Sequence, residues 1–155
     1  MRGIQELKAT LDPERQIIIQ AHDFPDHDAV ASAFALQELL WANGVKAELC
    51  YGGEIQSDSL KEAIRLLEIP IGSSSDADID EDAQLIIVDG FVGNTNMTGL
   101  PGEVAGVIDH HSPPQEPEVP YWDIREDYGS CSTILYEYYK IASIDMTRSV
   151  STALL

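Results

Sequence analysis

The chain is predicted to be an α/β protein, with a doubly wound, mainly parallel sheet of about five strands and helices on both faces. Three observations predict this. Short apolar runs without alternation, Ile17-Ile18-Ile19 and Leu85-Ile86-Ile87-Val88, mark strands covered on both sides. Segments with helical apolar spacing separate such runs, and alternating strands and helices argue a parallel sheet. Polar, ligand-rich turns follow several of the runs directly after their last apolar residue. A length of 155 residues suits one domain with a sizeable core, and a hydrophobic fraction of 44% is ordinary for a folded chain.

The elements follow in order. Ile4, Leu7 and Leu11 recur at helical spacing, and Pro13 ends that helix. Arg15 to Ala21 is the first strand. From Asp28 to Trp41 apolar residues run almost all the way round, so this helix is expected to be buried. Asn43-Gly44 stops it. Val45 to Tyr51 reads as the second strand, broken by Gly52-Gly53. Ser57 or Asp58 caps a helix that reaches about Leu67 and ends at Pro70 and Gly72. Ser73 to Asp82 reads as an acidic connector. Leu85 to Val88 is a third strand ending at Asp89, and Val104 to Ile108 a fourth ending at Asp109. The run Pro113-Pro114-Gln115-Glu116-Pro117 can only be an extended loop. Tyr121 to Ile124 is the fifth strand. Gly129-Ser130 opens a helix from Cys131 to about Ile141, and Asp145 or Thr147 caps a last one, still apolar at Leu154-Leu155.

Charge and cysteine usage narrow the class. Nine basic residues against 27 acidic ones leave a net charge of −18. Such a surface repels nucleic-acid backbones and anionic membranes over long range and attracts cations. Its plain reading is a solvated acidic surface. Cys50 and Cys131 are far apart and form no Cys-x-x-Cys pair, which suits buried thiols in a reducing compartment. The first residues carry no apolar signal region, and no stretch approaches the roughly 20 apolar residues of a membrane span. The cytoplasm is the expected location, with no membrane partner.

All four histidines fall into two strand-to-loop junctions. The first, His22-Asp23-Phe24-Pro25-Asp26-His27-Asp28, packs three carboxylates and two imidazoles into seven residues. The second is Asp109-His110-His111. His22, Asp26 and Asp28 are ligand types that suit Mn²⁺, Mg²⁺, Fe²⁺ or Zn²⁺. Open parallel sheets bind ligands outside the carboxyl ends of their strands. His22, Asp26, Asp28, Asp89, Asp109, His110 and His111 all stand at such ends, enough for a site holding two cations with Asp89 between them. Each residue has a duller explanation by itself: Asp28 as a helix cap, Asp26 as a turn residue, Asp89 as a loop residue, the paired histidines as half-buried donors. Their convergence at one sheet edge favours the metal site. Rival motifs fail. Asp76 to Asp80 imitates half of a calcium loop, but Glu81 and Ile87 stand where glycine and glutamate belong. There is no P-loop and no Gly-x-Gly-x-x-Gly.

These motifs resemble the DHH phosphoesterase family: His-x-x-x-Asp-x-Asp at His22 to Asp28, a lone aspartate at Asp89, and Asp109-His110-His111. Tyr128-Gly129-Ser130-Cys131-Ser132-Thr133 is similar to the helix start that follows in many members. The resemblance implies a catalytic domain over residues 1–155 that uses two Mn²⁺ ions, or Mg²⁺ or Co²⁺. It implies one ion on His22, Asp26 and Asp89 and the other on Asp28, Asp89 and His110. His111 would contact the scissile phosphate and help protonate the leaving group. Asp109 would orient the histidines, and His27 would stand outside the pattern. The implied activity is two-metal hydrolysis of a phosphodiester or phosphoanhydride in a short oligonucleotide, dinucleotide or polyphosphate. Exonuclease-like and exopolyphosphatase-related members fall within that range. The family's fourth-motif aspartate and second, substrate-gripping domain have no counterpart in this chain, and Gly93-Asn94-Thr95-Asn96 occupies a region where many relatives carry arginine. A non-catalytic metal- or nucleotide-binding module is the rival expectation. The apolar last helix offers a surface for a homodimer.

Overall fold

A computed structural model describes residues 2–155; Met1, first in the polar N-terminal stretch, lies outside the described residues. The elements are α1 (Ile4–Lys8), β1 (Ile17–Ala21), α2 (His27–Ala42), β2 (Glu48–Tyr51), α3 (Asp58–Leu66), β3 (Ile71–Ser73), β4 (Gln84–Val88), β5 (Glu103–Asp109), β6 (Tyr121–Ile124), α4 (Cys131–Ala142) and α5 (Arg148–Ala153). It is the expected α/β class. The six strands form one sheet in the order β3-β2-β1-β4-β5-β6. Every pairing is parallel.

β3 is the strand that the sequence does not announce. It is three residues long and sits at the edge, Leu49 pairing with Ile71 and Tyr51 with Ser73. Pro70 and Gly72 argue against a strand, and only pairing with β2 holds this one extended. The expected second strand also starts late, at Glu48 rather than Val45. Helix starts follow side-chain caps: Ser57 accepts from the Leu60 amide, Ser130 from Thr133 and Thr147 from Val150.

β1 and β4 are buried along their whole lengths, as unalternating apolar runs require. The main core lies on the face that receives α2, where Ile17, Ile19, Ile86, Val88 and Ile108 meet Val30, Phe34 and the apolar side of α4. α2 packs against β1, β2 and β4 and also against α1, α4 and α5, so mainly its ends, at His27 and at Trp41-Ala42, reach solvent and it needs no polar stripe. The opposite face carries a smaller cluster of Ile18, Cys50, Ala83 and Leu85, closed over by Ile79, Leu100 and Val104. No helix among the described residues is long and apolar enough to cross a membrane.

From β1 the chain winds outward through β2 and β3, then returns to the other side of β1 with β4 and winds outward through β5 and β6. The direction reverses between β1 and β4. In open parallel sheets this reversal leaves a crevice at the carboxyl ends of the strands.

Candidate metal centre

Strand register builds the site. Ala21 of β1 pairs with Val88 of β4, and Val88 with Ile108 of β5. His22, Asp89 and Asp109 therefore emerge side by side, with His110 and His111 directly after. A cleft of about 590 Å³ opens there, lined by His22, Asp26, Asp28, Asp89, His110 and His111 together with Gly90, Phe91, Asn94, Asn96, Gly129 and Ser130.

Asp89 is the centre. It is 3% exposed, and its φ of 57° lies in the left-handed region. An aspartate tolerates that region better than most residues, at a cost of about 1 kcal/mol or more. The Asp89 amide donates to the Ile108 carbonyl at 3.0 Å, which holds the turn. Around the carboxylate stand His22 Nε2 at 3.6 Å from Oδ2, and His110 Nε2 at 3.3 Å and His111 Nδ1 at 3.8 Å from Oδ1. Oδ1 is nevertheless buried without a hydrogen-bond partner. Burial, reinforced by Asp28 and Asp26, pushes the Asp89 carboxyl up to about 6. A buried, underbonded carboxylate among imidazoles is stable when a cation supplies the missing contact.

His22 faces this centre in a fixed ring orientation. Its Nδ1 lies 2.8 Å from the Asp23 carbonyl, which can only accept, so Nδ1 keeps a proton in either charge state and Nε2 is the nitrogen that would give up its proton to a metal. Asp26 lies 3.9 Å from Nε2. The Asp26 carboxylate, against the opposing effect of burial, raises His22 to about 9, and His22 in turn holds Asp26 down to about 2. Asp26, not Asp28, caps α2, accepting the Ala29 amide at 2.9 Å.

Asp28 has a different job. Its Oδ2 accepts the Cys131 amide at 2.9 Å, and its Oδ1 accepts the Ser132 amide at 2.8 Å and the Ser132 hydroxyl. These are the first amides of α4, whose unpaired N–H groups favour an anion. The remaining side of Oδ2 looks at His110 Nε2, 3.7 Å away. His110 Nδ1 donates to the Tyr128 carbonyl at 3.1 Å.

Asp109 is fully buried. Its Oδ1 accepts the His111 ring at 2.8 Å and the His110 and His111 amides at 2.8 and 3.3 Å. Burial alone would lower His111, but the Asp109 bond and charge outweigh it and raise the imidazole. His27 points elsewhere, its Nε2 lying 3.5 Å from the Ser59 hydroxyl.

The structure thus lines one cleft with six of the seven expected residues, and Asp109 lies buried behind His111. Two triads can each surround a cation, His22-Asp26-Asp89 and Asp89-His110-His111, with ligand atoms within 4.8 Å of one another. Asp28 belongs to neither triad; α4 engages both its oxygens, and one side of Oδ2 still faces His110.

Three supporting groups have roles that the sequence motifs containing them do not announce. They are the Tyr128 carbonyl, the Ser132 hydroxyl and Asp23. Asp23 accepts Thr98 N at 3.0 Å and Thr98 Oγ1 at 2.8 Å, and its amide donates to the Asn96 carbonyl at 2.7 Å. Gly52 lets this clamp approach, since a Cβ there would meet Asp23 Oδ1 at 1.9 Å.

A parallel sheet with a carboxylate and imidazole cage at its reversal point defines an α/β protein with a candidate metal-binding site. The chain belongs to the DHH family, whose N-terminal domain it matches over residues 16–155. It is 32% identical over 147 residues to an uncharacterized protein of Methanocaldococcus jannaschii, a match covering 95% of this chain and 30% of that one. It is 28% identical over 147 residues to a probable manganese-dependent inorganic pyrophosphatase of Bacillus pumilus, covering 89% of this chain and 45% of the relative. The chain therefore spans less than half the length of these curated relatives. Among solved structures, an exopolyphosphatase-related protein from Bacteroides fragilis shares the fold, with a TM-score of 0.59 at 18% identity, over 92% of this chain and 45% of that one.

Proposed function

We propose that the chain is the metal-binding part of a divalent-metal-dependent phosphoesterase, acting on a phosphodiester or phosphoanhydride bond. The observation that carries this is Asp89, whose buried, partnerless Oδ1 lies at the meeting point of the two triads. His22, Asp26 and Asp89 would hold one ion, and Asp89, His110 and the free side of Asp28 the other. The chemistry that such ions supply when bound is activation of water and neutralisation of phosphoryl charge. The mixed nitrogen and oxygen donors admit Mn²⁺ as they admit Fe²⁺ or Zn²⁺, and manganese is the metal we favour. The pyrophosphatase relative, described as manganese-dependent, points the same way.

The chain's own groups would do the rest. His111 is anchored through Nδ1 on Asp109, so Nε2 is the atom left to exchange a proton with the leaving group. Asp109 holds that ring in place. Asn94 and Asn96 line the cleft and can donate to phosphate oxygens. The expected location is the cytoplasm, and a homodimer remains a proposal of the sequence.

One observation favours a second reading, a binding module without turnover. No lysine or arginine lines the cleft among the described residues, so phosphate charge meets no fixed cation there. The test is hydrolysis of bis-p-nitrophenyl phosphate, pyrophosphate, a dinucleotide and a short oligonucleotide with Mn²⁺ and without it. Metal-dependent release of product from any of them supports the enzyme. Stoichiometric Mn²⁺ uptake with no hydrolysis of any supports the module.

A further inference from the structure

His110 takes its orientation from a distant turn. A carbonyl can only accept, so the 3.1 Å contact with Tyr128 fixes the proton on Nδ1 and leaves Nε2 facing Asp89 and Asp28. What holds that carbonyl still is therefore part of the site. The Tyr128 amide donates to the Arg125 carbonyl at 3.0 Å, closing a tight turn, and the Arg125 amide donates to the Asp109 carbonyl at 3.0 Å.

The Arg125 side chain locks this turn from inside. Nε and Nη2 form a fork on the Asp123 carboxylate at 3.0 and 2.8 Å. Nη1 reaches the Tyr128 hydroxyl at 3.3 Å and the Glu137 carboxylate on α4. The Tyr128 hydroxyl donates to the same Glu137 at 2.8 Å, and the guanidinium lies 5.2 Å from the Tyr128 ring centre. Asp123 is itself buried and also receives the Tyr138 hydroxyl at 2.7 Å. One guanidinium thus ties β6, α4 and the turn together. Only arginine offers a planar fork with donors left over for a second carboxylate.

We propose that Arg125 is a positioning residue of the metal centre, which fixes the Tyr128 carbonyl and through it the ring of His110. The role rests on the metal-dependent reading above, but its structural half can be tested without metal. His22 supplies an internal control, since its Nδ1 donates to Asp23 by a route that does not involve Arg125. Removing an outer partner of a ligating histidine weakens metal binding by about 10–100-fold.

The experiment uses the whole chain with ¹⁵N-labelled histidine. Ring N–H protons of His22 and His110 are assigned by their loss in His22→Gln and His110→Gln. In metal-free Arg125→Lys, which keeps the charge but not the fork, the His110 ring proton should exchange at least about 10-fold faster, while that of His22 stays put. In a Mn²⁺ titration followed by electron paramagnetic resonance, one ion should weaken by about 10–100-fold and the other should not. If Arg125→Lys fails to fold, Glu137→Gln and Tyr128→Phe loosen the same turn without stranding Asp123, and each should show the same selective change. An unchanged His110 proton in every folded variant overturns the proposal. Wild-type protein that takes up no Mn²⁺, with the His110 change still present, overturns the metal reading and leaves the positioning of the ring standing.

Discussion

The two sides of Asp89 hold the same kind of ligand by opposite means. His22 and His110 both donate Nδ1 to a backbone carbonyl and turn Nε2 toward Asp89. For His22 the carbonyl belongs to the next residue, and Asp26 is the cap of the helix that starts there. For His110 the carbonyl is 18 residues away, and Asp28 is held by amides more than 100 residues away. One side is a local turn, and the other exists only when β6 and α4 have docked. The first should therefore survive loosening of the fold better than the second.

Asp89→Asn should have the largest effect, because it removes the charge shared by both sides. Calorimetry with Mn²⁺ should lose nearly all its heat, and retention of either ion at wild-type affinity would show that Asp89 bridges nothing. The same variant should stabilise the metal-free chain. A carboxyl raised to about 6 from an ordinary 3.8 binds protons more readily folded than unfolded. Its cost is absent below about pH 4, grows as pH rises through about 6 and is complete above that, at about 3 kcal/mol at most. Asparagine removes that cost, so the gain in melting temperature should be present at pH 8 and vanish near pH 4. Equal gains at both values would mean that charge is not its source.

The paired variants Asp26→Asn and Asp28→Asn separate the two sides. Each should weaken one ion. Their stabilities should differ, because asparagine caps a helix about as well as aspartate, so Asp26→Asn loses only the solvent-screened pairing with His22. At Asp28 both carboxylate oxygens accept, and an amide turns an N–H toward one of those donors, at a cost of about 1–3 kcal/mol. Equal melting temperatures for the two variants would erase the distinction between local and assembled halves.

Sequence legibility follows the same line. His22 to Asp28, Asp89 and Asp109 to His111 are readable because each ligand stands just after an apolar run, and a parallel sheet aligns those ends. The caps at Ser57, Ser130 and Thr147 are readable because each bond spans only three residues. The short β3 is not, since its extended shape comes from β2 rather than from Ile71-Gly72-Ser73 itself. Nor is Asp28's engagement by Cys131 and Ser132, which depends on where α4 docks. The reading of Asp28 alone as a cap fails for a local reason instead: the helix begins at His27, so the cap is Asp26.

His111→Ala sharpens the comparison within the second half. If this ring moves a proton rather than completing the cage, both ions should stay and turnover should fall by about 10²–10⁴-fold. Loss of one ion by elemental analysis would instead make His111 the third member of the Asp89-His110-His111 triad.

The smallest effect is expected at Asp23, on the local side. Its carboxylate grips Thr98 through both oxygens and so fastens the loop that carries Asn94 and Asn96 into the cleft. Nothing in that grip touches His22 Nε2, Asp26 or Asp89. Asp23→Ala should therefore leave Mn²⁺ affinity within about twofold and keep the His22 ring orientation, because the backbone carbonyl of residue 23 remains. The clamp bonds are solvent-exposed, so losing them should cost about 1 kcal/mol. Amide hydrogen exchange should accelerate over residues 94–98 and not in β1 or β4. A phosphoester that relies on the two asparagines should show a KM raised a few-fold at constant kcat, the mark of an interaction made equally in ground and transition states. Asp23→Asn, which keeps an acceptor for Thr98, should restore most of it. A fall in Mn²⁺ affinity comparable to that of Asp26→Asn would show instead that the loop after β4 is part of the metal cage.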